Sequence, residues 1–277
     1  MRLGGPVSPG NMNPGAWAAE HRRLGYSAAY VPSIDSDMSL IQEYVRAAQA
    51  ADLLWAEVGA WSNPLSTDAS ERRKALDLCC QRLELAEKMG ACCCVNIAGS
   101  RGPKWDGPNP ANLTEETFDL LVQVVRQIID AVKPTRTFYT LETMPWIFPD
   151  SPDSYLRLIQ AVDRQAFAVH LDPVNMINCP ARAYDTAGFL RECFAKLGPY
   201  IRSCHAKDIQ FTQHLTLHLD ECRPGTGLLD YPTYLRELAQ LSADVPLMLE
   251  HLPNPQEYEL AAQYVRRCAR QVEVVLR

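Results

Sequence analysis

The sequence predicts an α/β fold, a single (β/α)8 barrel over residues 1–277 with its active site at the C-terminal ends of the strands. Three observations predict it. Eight short apolar runs recur along the 277 residues. Most are separated by a longer segment with helical periodicity, and several stop at one carboxylate or imidazole. Strand alternating with helix eight times favours a barrel over an open sheet, and near-continuous apolar runs suit parallel strands. Such a barrel takes about 250 residues, so the length fits one domain, and no linker-like tract interrupts it.

The expected strands are RLGGPV (2–7), YSAAYV (26–31), LLWAEVGA (53–60), CCCVNIA (92–98), TFYTLET (137–143), AFAVHLD (166–172), IRSCHA (201–206) and VPLMLEH (245–251). Between the third and fourth, SERRKALDLCCQRLELAEKMG repeats Leu76, Cys79, Cys80, Leu83 and Ala86/Glu87 at spacings of three and four, with Arg and Glu on the other face. That is an amphipathic helix, and Gly90 ends it and releases the next strand. Pro32, Pro64, Pro103, Pro145, Pro173 and Pro253 follow strand ends, where the chain turns on the catalytic face.

Hydrophobic residues make up 47% and charged residues 22%, with a formal charge of −6. A core is affordable on that composition, and the basic footprint needed for phosphate-backbone binding is missing, which argues against nucleic acid as a partner. MRLGGPVSPGNM has no apolar segment of the secretory kind and no run is long enough to span a bilayer, so a cytoplasmic protein is expected, with no membrane partner. The ten cysteines show no C-x-x-C spacing. Most fall in apolar segments, where a thiol packs as a small hydrophobe in a reducing compartment.

Side chains two apart on a strand share a face, so Thr140 joins Glu142, His170 joins Asp172 and His205 joins Lys207. The barrel interior thus receives Glu142, Asp172, His205 and Glu250 from strands five to eight. Three carboxylates converging beside an imidazole repel one another if ionised, and a divalent cation removes that cost. Oxygen-rich coordination with one nitrogen favours Mn²⁺, Mg²⁺ or Co²⁺ over structural zinc, with Zn²⁺ kept as an alternative, and leaves positions for a vicinal carbonyl and hydroxyl of a sugar. A single acid at a strand end is usually a helix cap; four at consecutive ends are not explained that way.

Taken in order, LGYSAAYV, TLE at Glu142, HLDPVN at Asp172 and Asn175, CHAKD at His205, the RPGTGLLDY loop and LMLEH at Glu250 resemble the xylose isomerase-like TIM barrel superfamily. The resemblance is to its sugar phosphate isomerase/epimerase branch, which includes D-tagatose 3-epimerase, and it covers nearly the whole chain. It implies a divalent ion, commonly manganese, on the residues matching Glu142, Asp172, His205 and Glu250. It also implies that Glu142 and Glu250 are the catalytic acid/base pair, one removing a proton beside a carbonyl and the other returning one through a cis-enediolate. Two positions depart from the ketose 3-epimerases. Asn175 stands where they carry a second histidine, and Phe148 where they carry a glutamate, which touches the substrate more than the metal shell.

Further substrate-binding candidates are Lys207, Asn175, Glu57, Trp61, Trp146, Arg223 and His170. Lys207 either holds a substrate oxygen or pairs with a core carboxylate, and His170 is a core histidine orienting a ligand rather than a fifth ligand. Glu57 either binds a sugar hydroxyl or pairs with a core base. Trp17, Trp61, Trp105 and Trp146 follow strands at the mouth and either stack on a sugar or pack loops. Arg101, Arg182 and Arg223 with PGTG (224–227) leave a phosphate site open, although an unphosphorylated or differently substituted polyol is favoured.

The function expected is a metal-dependent isomerase or epimerase of a ketose, keto-sugar or sugar phosphate. The alternatives are a lyase or dehydratase using the same site and, more remotely, a non-catalytic sugar-binding protein. A small sugar or sugar derivative is the expected partner, and the family resemblance implies a homo-dimer or homo-tetramer.

Overall fold

A computed structural model gives the fold, and the structure describes residues 1–8, 10, 12–32, 34 and 38–277. All eight expected strands are present. They are β1 (Arg2–Gly4), β2 (Ala28–Tyr30), β3 (Leu54–Gly59), β4 (Cys93–Asn96), β5 (Tyr139–Glu142), β6 (Phe167–Leu171), β7 (Ile201–Ala206) and, after a hairpin of β8 (Asp208–Thr212) and β9 (His218–Cys222), β10 (Pro246–Leu249). The order β1-β10-β7-β6-β5-β4-β3-β2 closes into a parallel barrel, while β8 and β9 form a separate antiparallel pair. The hairpin is an addition to the eight expected strands.

Around the strands run α1 (Pro14–Arg23), α2 (Met38–Ala50), α3 (Ala69–Met89), α4 (Glu115–Val132), α5 (Pro152–Val162), the short α6 (Pro173–Met176) and α7 (Pro180–Tyr184), α8 (Thr186–Leu197), α9 (Tyr231–Leu238) and α10 (Pro255–Gln271). No helix among the described residues is long and apolar enough to cross a membrane.

The chain divides into two compact units, one of Met1–Ala56, Asp172–Ala195 and Ser203–Arg277, the other of Glu57–Leu171 and Lys196–Arg202. In the first, β1 pairs with β2 at Gly4↔Ala28 and with β10 at Gly4↔Met248, and β10 pairs with β7 at Met248↔His205. Gly4 is required there. A Cβ would lie 2.5 Å from the Ala28 carbonyl oxygen and 2.5 Å from the Met248 sulfur, so no larger residue lets the strands approach. Ala28, Ala56 and Met248 form one buried apolar cluster of this unit, with Tyr30 against them. Arg2 closes the N-terminal end of β1, its Nε 2.7 Å from Asp244 and its Nη1 donating to the Asp52 carbonyl at 2.7 Å. Trp17 of α1 stacks on Trp55 of β3 at 5.1 Å with Tyr44 of α2 edge-on.

In the second unit β3 to β6 pair through Glu57↔Cys93, Cys94↔Tyr139 and Tyr139↔Phe167. Helix α3 begins where Asp68 accepts the N–H groups of Ser70 and Glu71 and ends at Gly90, whose φ of 72° is the left-handed cap expected of it. Its buried face runs Ala75, Cys79, Leu83 and Ala86, so Cys79, Leu83 and Ala86 lie on the stripe read from sequence, while Leu76 and Cys80 sit at its half-buried edge. Cys79, Cys93 and Cys94 are fully buried, and burial pushes the Cys93 and Cys94 thiols well up, so they pack as apolar groups.

Candidate metal centre and active site

Asp172 follows the last residue of β6 and serves two neighbours. Its Oδ1 accepts the N–H groups of Val174 at 3.0 Å and Asn175 at 3.2 Å, capping α6. Its Oδ2 lies 2.8 Å from Lys207 Nζ and 3.5 Å from His205 Nδ1. His205 stands on β7 with Lys207 just beyond, two apart and therefore on one face. Glu250 follows β10, and its Oε1 lies 2.8 Å from His205 Nδ1 and 2.6 Å from Lys207 Nζ. Parallel pairing of β7 with β10 places these ends at one level. Asp172, His205 and Glu250 each offer a ligand atom within 4.8 Å of the others'.

Burial by itself would raise both carboxyls. Lys207 and His205 outweigh it at Asp172, which is held well below the usual carboxylate range. At Glu250, His205 and then Lys207 bring the carboxyl down to about 2, against the opposing charge of Asp172. Both groups are anionic at neutral pH. Two carboxylate oxygens and one imidazole nitrogen, buried together, are the donor chemistry of a Mn²⁺- or Mg²⁺-type ion, so the residues fit a divalent metal.

The frame behind these groups was not legible in the sequence. Tyr231 and Tyr234, both fully buried on α9, donate their hydroxyls to the carbonyls of Lys207 at 2.8 Å and His205 at 2.9 Å. Asp208 gathers the N–H groups of Ile209 and Leu229 on Oδ1 and those of Gly225 and Gly227 on Oδ2, all within 3.0 Å. The backbone donors that made PGTG a phosphate candidate are therefore spent on an internal carboxylate. Arg223 is likewise engaged, its Nε 2.8 Å from Glu257, and Arg182 donates to the Met176 carbonyl at 2.7 Å.

The hairpin brings Glu221 in from β9. Its Oε2 lies 3.5 Å from Lys207 Nζ and 3.2 Å from His251 Nδ1. Beside it opens a pocket of about 490 Å³ lined by Glu221, Arg223, His251, Leu252 and Glu257 among others.

In the other unit Glu142 is the last residue of β5, buried, and in register with His170 on β6. His170 Nδ1 lies 3.3 Å from Glu57 Oε2, both side chains buried, so Glu57 pairs with a core base. Tyr155 on α5 donates to the Leu141 carbonyl at 2.7 Å and lies 3.0 Å from that of Ala168, tying the β5 and β6 ends. Trp61 is 45% exposed, and Trp146 is half-buried with its Nε1 donating to the Asp106 carbonyl at 2.9 Å. Trp17, by contrast, is interior packing. One unit thus brings together Asp172, His205, Lys207 and Glu250, and the other pairs Glu57 with His170 and ends β5 in Glu142.

A family model described as xylose isomerase-like TIM barrel matches residues 18–268. Among solved structures, D-psicose 3-epimerase from Clostridium cellulolyticum, determined with D-tagatose, is similar at 15% identity and TM-score 0.71, covering 99% of this chain and 100% of that one. Endonuclease IV from Thermus thermophilus is similar at 13% identity and TM-score 0.73, with 98% and 100% covered. The probable 3-DHS dehydratase AsbF from Bacillus anthracis is similar at 16% identity and TM-score 0.70, with 95% and 97% covered. At these identities the likeness is one of fold. No curated protein matches the chain.

Proposed function

The chain belongs to the xylose isomerase-like TIM barrel family, and from that premise we propose a divalent-metal-dependent isomerase or epimerase of a ketose, keto-sugar or sugar phosphate, acting as a single cytoplasmic catalytic domain. The observation that carries the proposal is the meeting of Asp172, His205 and Glu250 at strand ends, with two anionic carboxylates and an imidazole offering ligand atoms to one point. Glu142, at the end of the strand before β6 in the barrel order, is proposed as the fourth ligand. Manganese is the first choice of ion. When bound, such an ion supplies Lewis-acid polarisation of a substrate carbonyl.

The residues of the chain do the rest. Glu250, held ionised, accepts a proton from the carbon beside the carbonyl, and Glu142 returns one, with a cis-enediolate between. Tyr231 and Tyr234 fix the carbonyls of the segment that presents His205 and Lys207, which limits drift of the imidazole. Asn175, Trp61, Trp146 and Arg223 are proposed contacts to substrate hydroxyls or ring faces, and the Glu57–His170 pair is proposed to support the ligand set from behind. The net charge of −6 favours a small substrate over a nucleic-acid backbone.

A second reading, a lyase or dehydratase, is favoured by one feature: the Lys207 ammonium stands between Glu250 and Glu221, which keeps a proton donor for a departing hydroxyl near the base whichever of the two it contacts. Incubating Mn²⁺-loaded protein with candidate ketoses in D₂O separates the readings. Deuterium beside the carbonyl with a new stereoisomer, lost in Glu250→Gln and Glu142→Gln, is expected. Release of water or an aglycone would select the lyase, and sugar binding with no exchange on any substrate would leave a binding protein.

A further inference from the structure

Lys207 is a buried cation in a ring of acids. Its Nζ lies 2.8 Å from Asp172 Oδ2, 2.6 Å from Glu250 Oε1 and 3.5 Å from Glu221 Oε2. The first two are the oxygens that a divalent ion on Asp172 and Glu250 would use. The third belongs to a carboxylate on the hairpin, outside the ligand set and anchored by His251 at 3.2 Å. A divalent ion binds carboxylate oxygens at roughly 2.0–2.2 Å, and an ammonium cannot remain in contact with the same oxygens without strong repulsion. Lysine carries its charge on a flexible four-carbon stem, and Glu221 is reached by a small swing of it.

We infer that Lys207 is a built-in counter-cation that competes with the divalent ion for Asp172 and Glu250, with Glu221 receiving its ammonium when the ion is bound. The inference rests on the metal-site reading above and adds to it a reason for a lysine in a site that collects cations. Without the ion, Lys207 neutralises two buried carboxylates that otherwise repel. With it, the contacts of Lys207 must be given up, so the metal affinity is set below what the ligands alone would give, and the ion remains exchangeable.

The sign of one measurement decides. A lysine that merely supports the ligands lowers metal affinity when removed; a competing cation raises it. Calorimetric titration of metal-stripped protein with Mn²⁺ is expected to show about tenfold or greater tightening in Lys207→Met, and affinity within roughly threefold of wild type in Lys207→Arg, which keeps the charge. Glu221→Gln, which removes the receiving carboxylate, is expected to weaken binding by roughly three- to tenfold. Most of that loss should vanish in the Lys207→Met/Glu221→Gln double variant. Metal-stripped Lys207→Met should also melt below wild type and recover on Mn²⁺ addition. Unchanged or weaker binding in Lys207→Met overturns the role of the lysine while leaving the metal site standing. No binding in any variant, wild type included, overturns both. If metal-stripped Lys207→Met does not fold, Glu221→Gln alone decides, because unchanged affinity there contradicts the transfer.

Discussion

The carboxylate of Asp172 is divided between structure and chemistry, one oxygen capping α6 and the other facing Lys207 and His205. Asparagine keeps an acceptor for the cap and removes the charge, so Asp172→Asn should fold with α6 intact and lose the metal. Elemental analysis after dialysis against Mn²⁺ is expected to find about one equivalent in wild type and essentially none in the variant. A variant that retains its metal would remove Asp172 from the ligand set. Tyr234→Phe tests the frame instead of the ligands. The ring stays in its buried place, while the His205 carbonyl loses the hydroxyl donated at 2.9 Å. A loss of about 1–2 kcal/mol in urea denaturation is expected, together with a several-fold weaker metal affinity of the kind seen when a ligand's outer partner is removed. Stability loss without the change in affinity would make the tyrosine packing only.

At the scale of elements, Glu87 in the last turn of α3 gathers the chain entering β5. Its carboxylate accepts the Thr135 hydroxyl at 2.7 Å and the N–H groups of Thr135, Arg136 and Thr137. Burial pushes this carboxyl up, but those donors outweigh it and bring it from 4.5 to about 2. A carboxyl depressed in the folded state contributes stability that is complete above its unfolded value and is lost as pH falls toward the folded one. Glu87→Gln should therefore cost about 2 kcal/mol near pH 7 and flatten the decline in stability between about pH 4.5 and 2, read by denaturant titration across that range. Parallel pH profiles for the two proteins would assign the acid lability elsewhere.

The eight strands were legible because each is a bounded apolar run. Their ends were less so: 2–7 shortens to Arg2–Gly4, where close contact with Ala28 and Met248 fixes Gly4 and the proline at position 6 lacks a ladder donor. The hairpin has no counterpart among the expected elements, because IQFT and LHLDEC mix apolar and polar residues and lack the continuous apolar run that marks a buried barrel strand. Glu221 was missed with it. The four polar strand ends were visible one by one, whereas the hydroxyls of Tyr231 and Tyr234 reach carbonyls 24 and 29 residues away, a pairing with no local signal. PGTG misled for a related reason, since glycine in a turn does not reveal that Asp208 takes its N–H groups.

For the whole molecule, the proposal of one domain over 1–277 has a thermodynamic consequence. The chain divides by contacts into two compact units, yet its strand order closes one barrel. If the barrel unfolds as a single cooperative body, an ion bound only to the native state stabilises every strand equally, by about 2.7 kcal/mol when free Mn²⁺ is 100-fold above its dissociation constant. Hydrogen exchange read by mass spectrometry in moderate urea distinguishes this from independent unfolding. Peptides covering Leu247–Leu249 in one unit and Leu141–Glu142 in the other should slow together on Mn²⁺ addition, and neither should respond in Asp172→Asn. Slowing confined to the Met1–Ala56, Asp172–Ala195 and Ser203–Arg277 unit would mean that the metal stabilises that unit alone and that Glu142 does not complete its shell. Slowing in both sets of peptides is what the single-domain reading requires, because a body that unfolds cooperatively passes the ion's stabilisation to every strand whichever strands hold it.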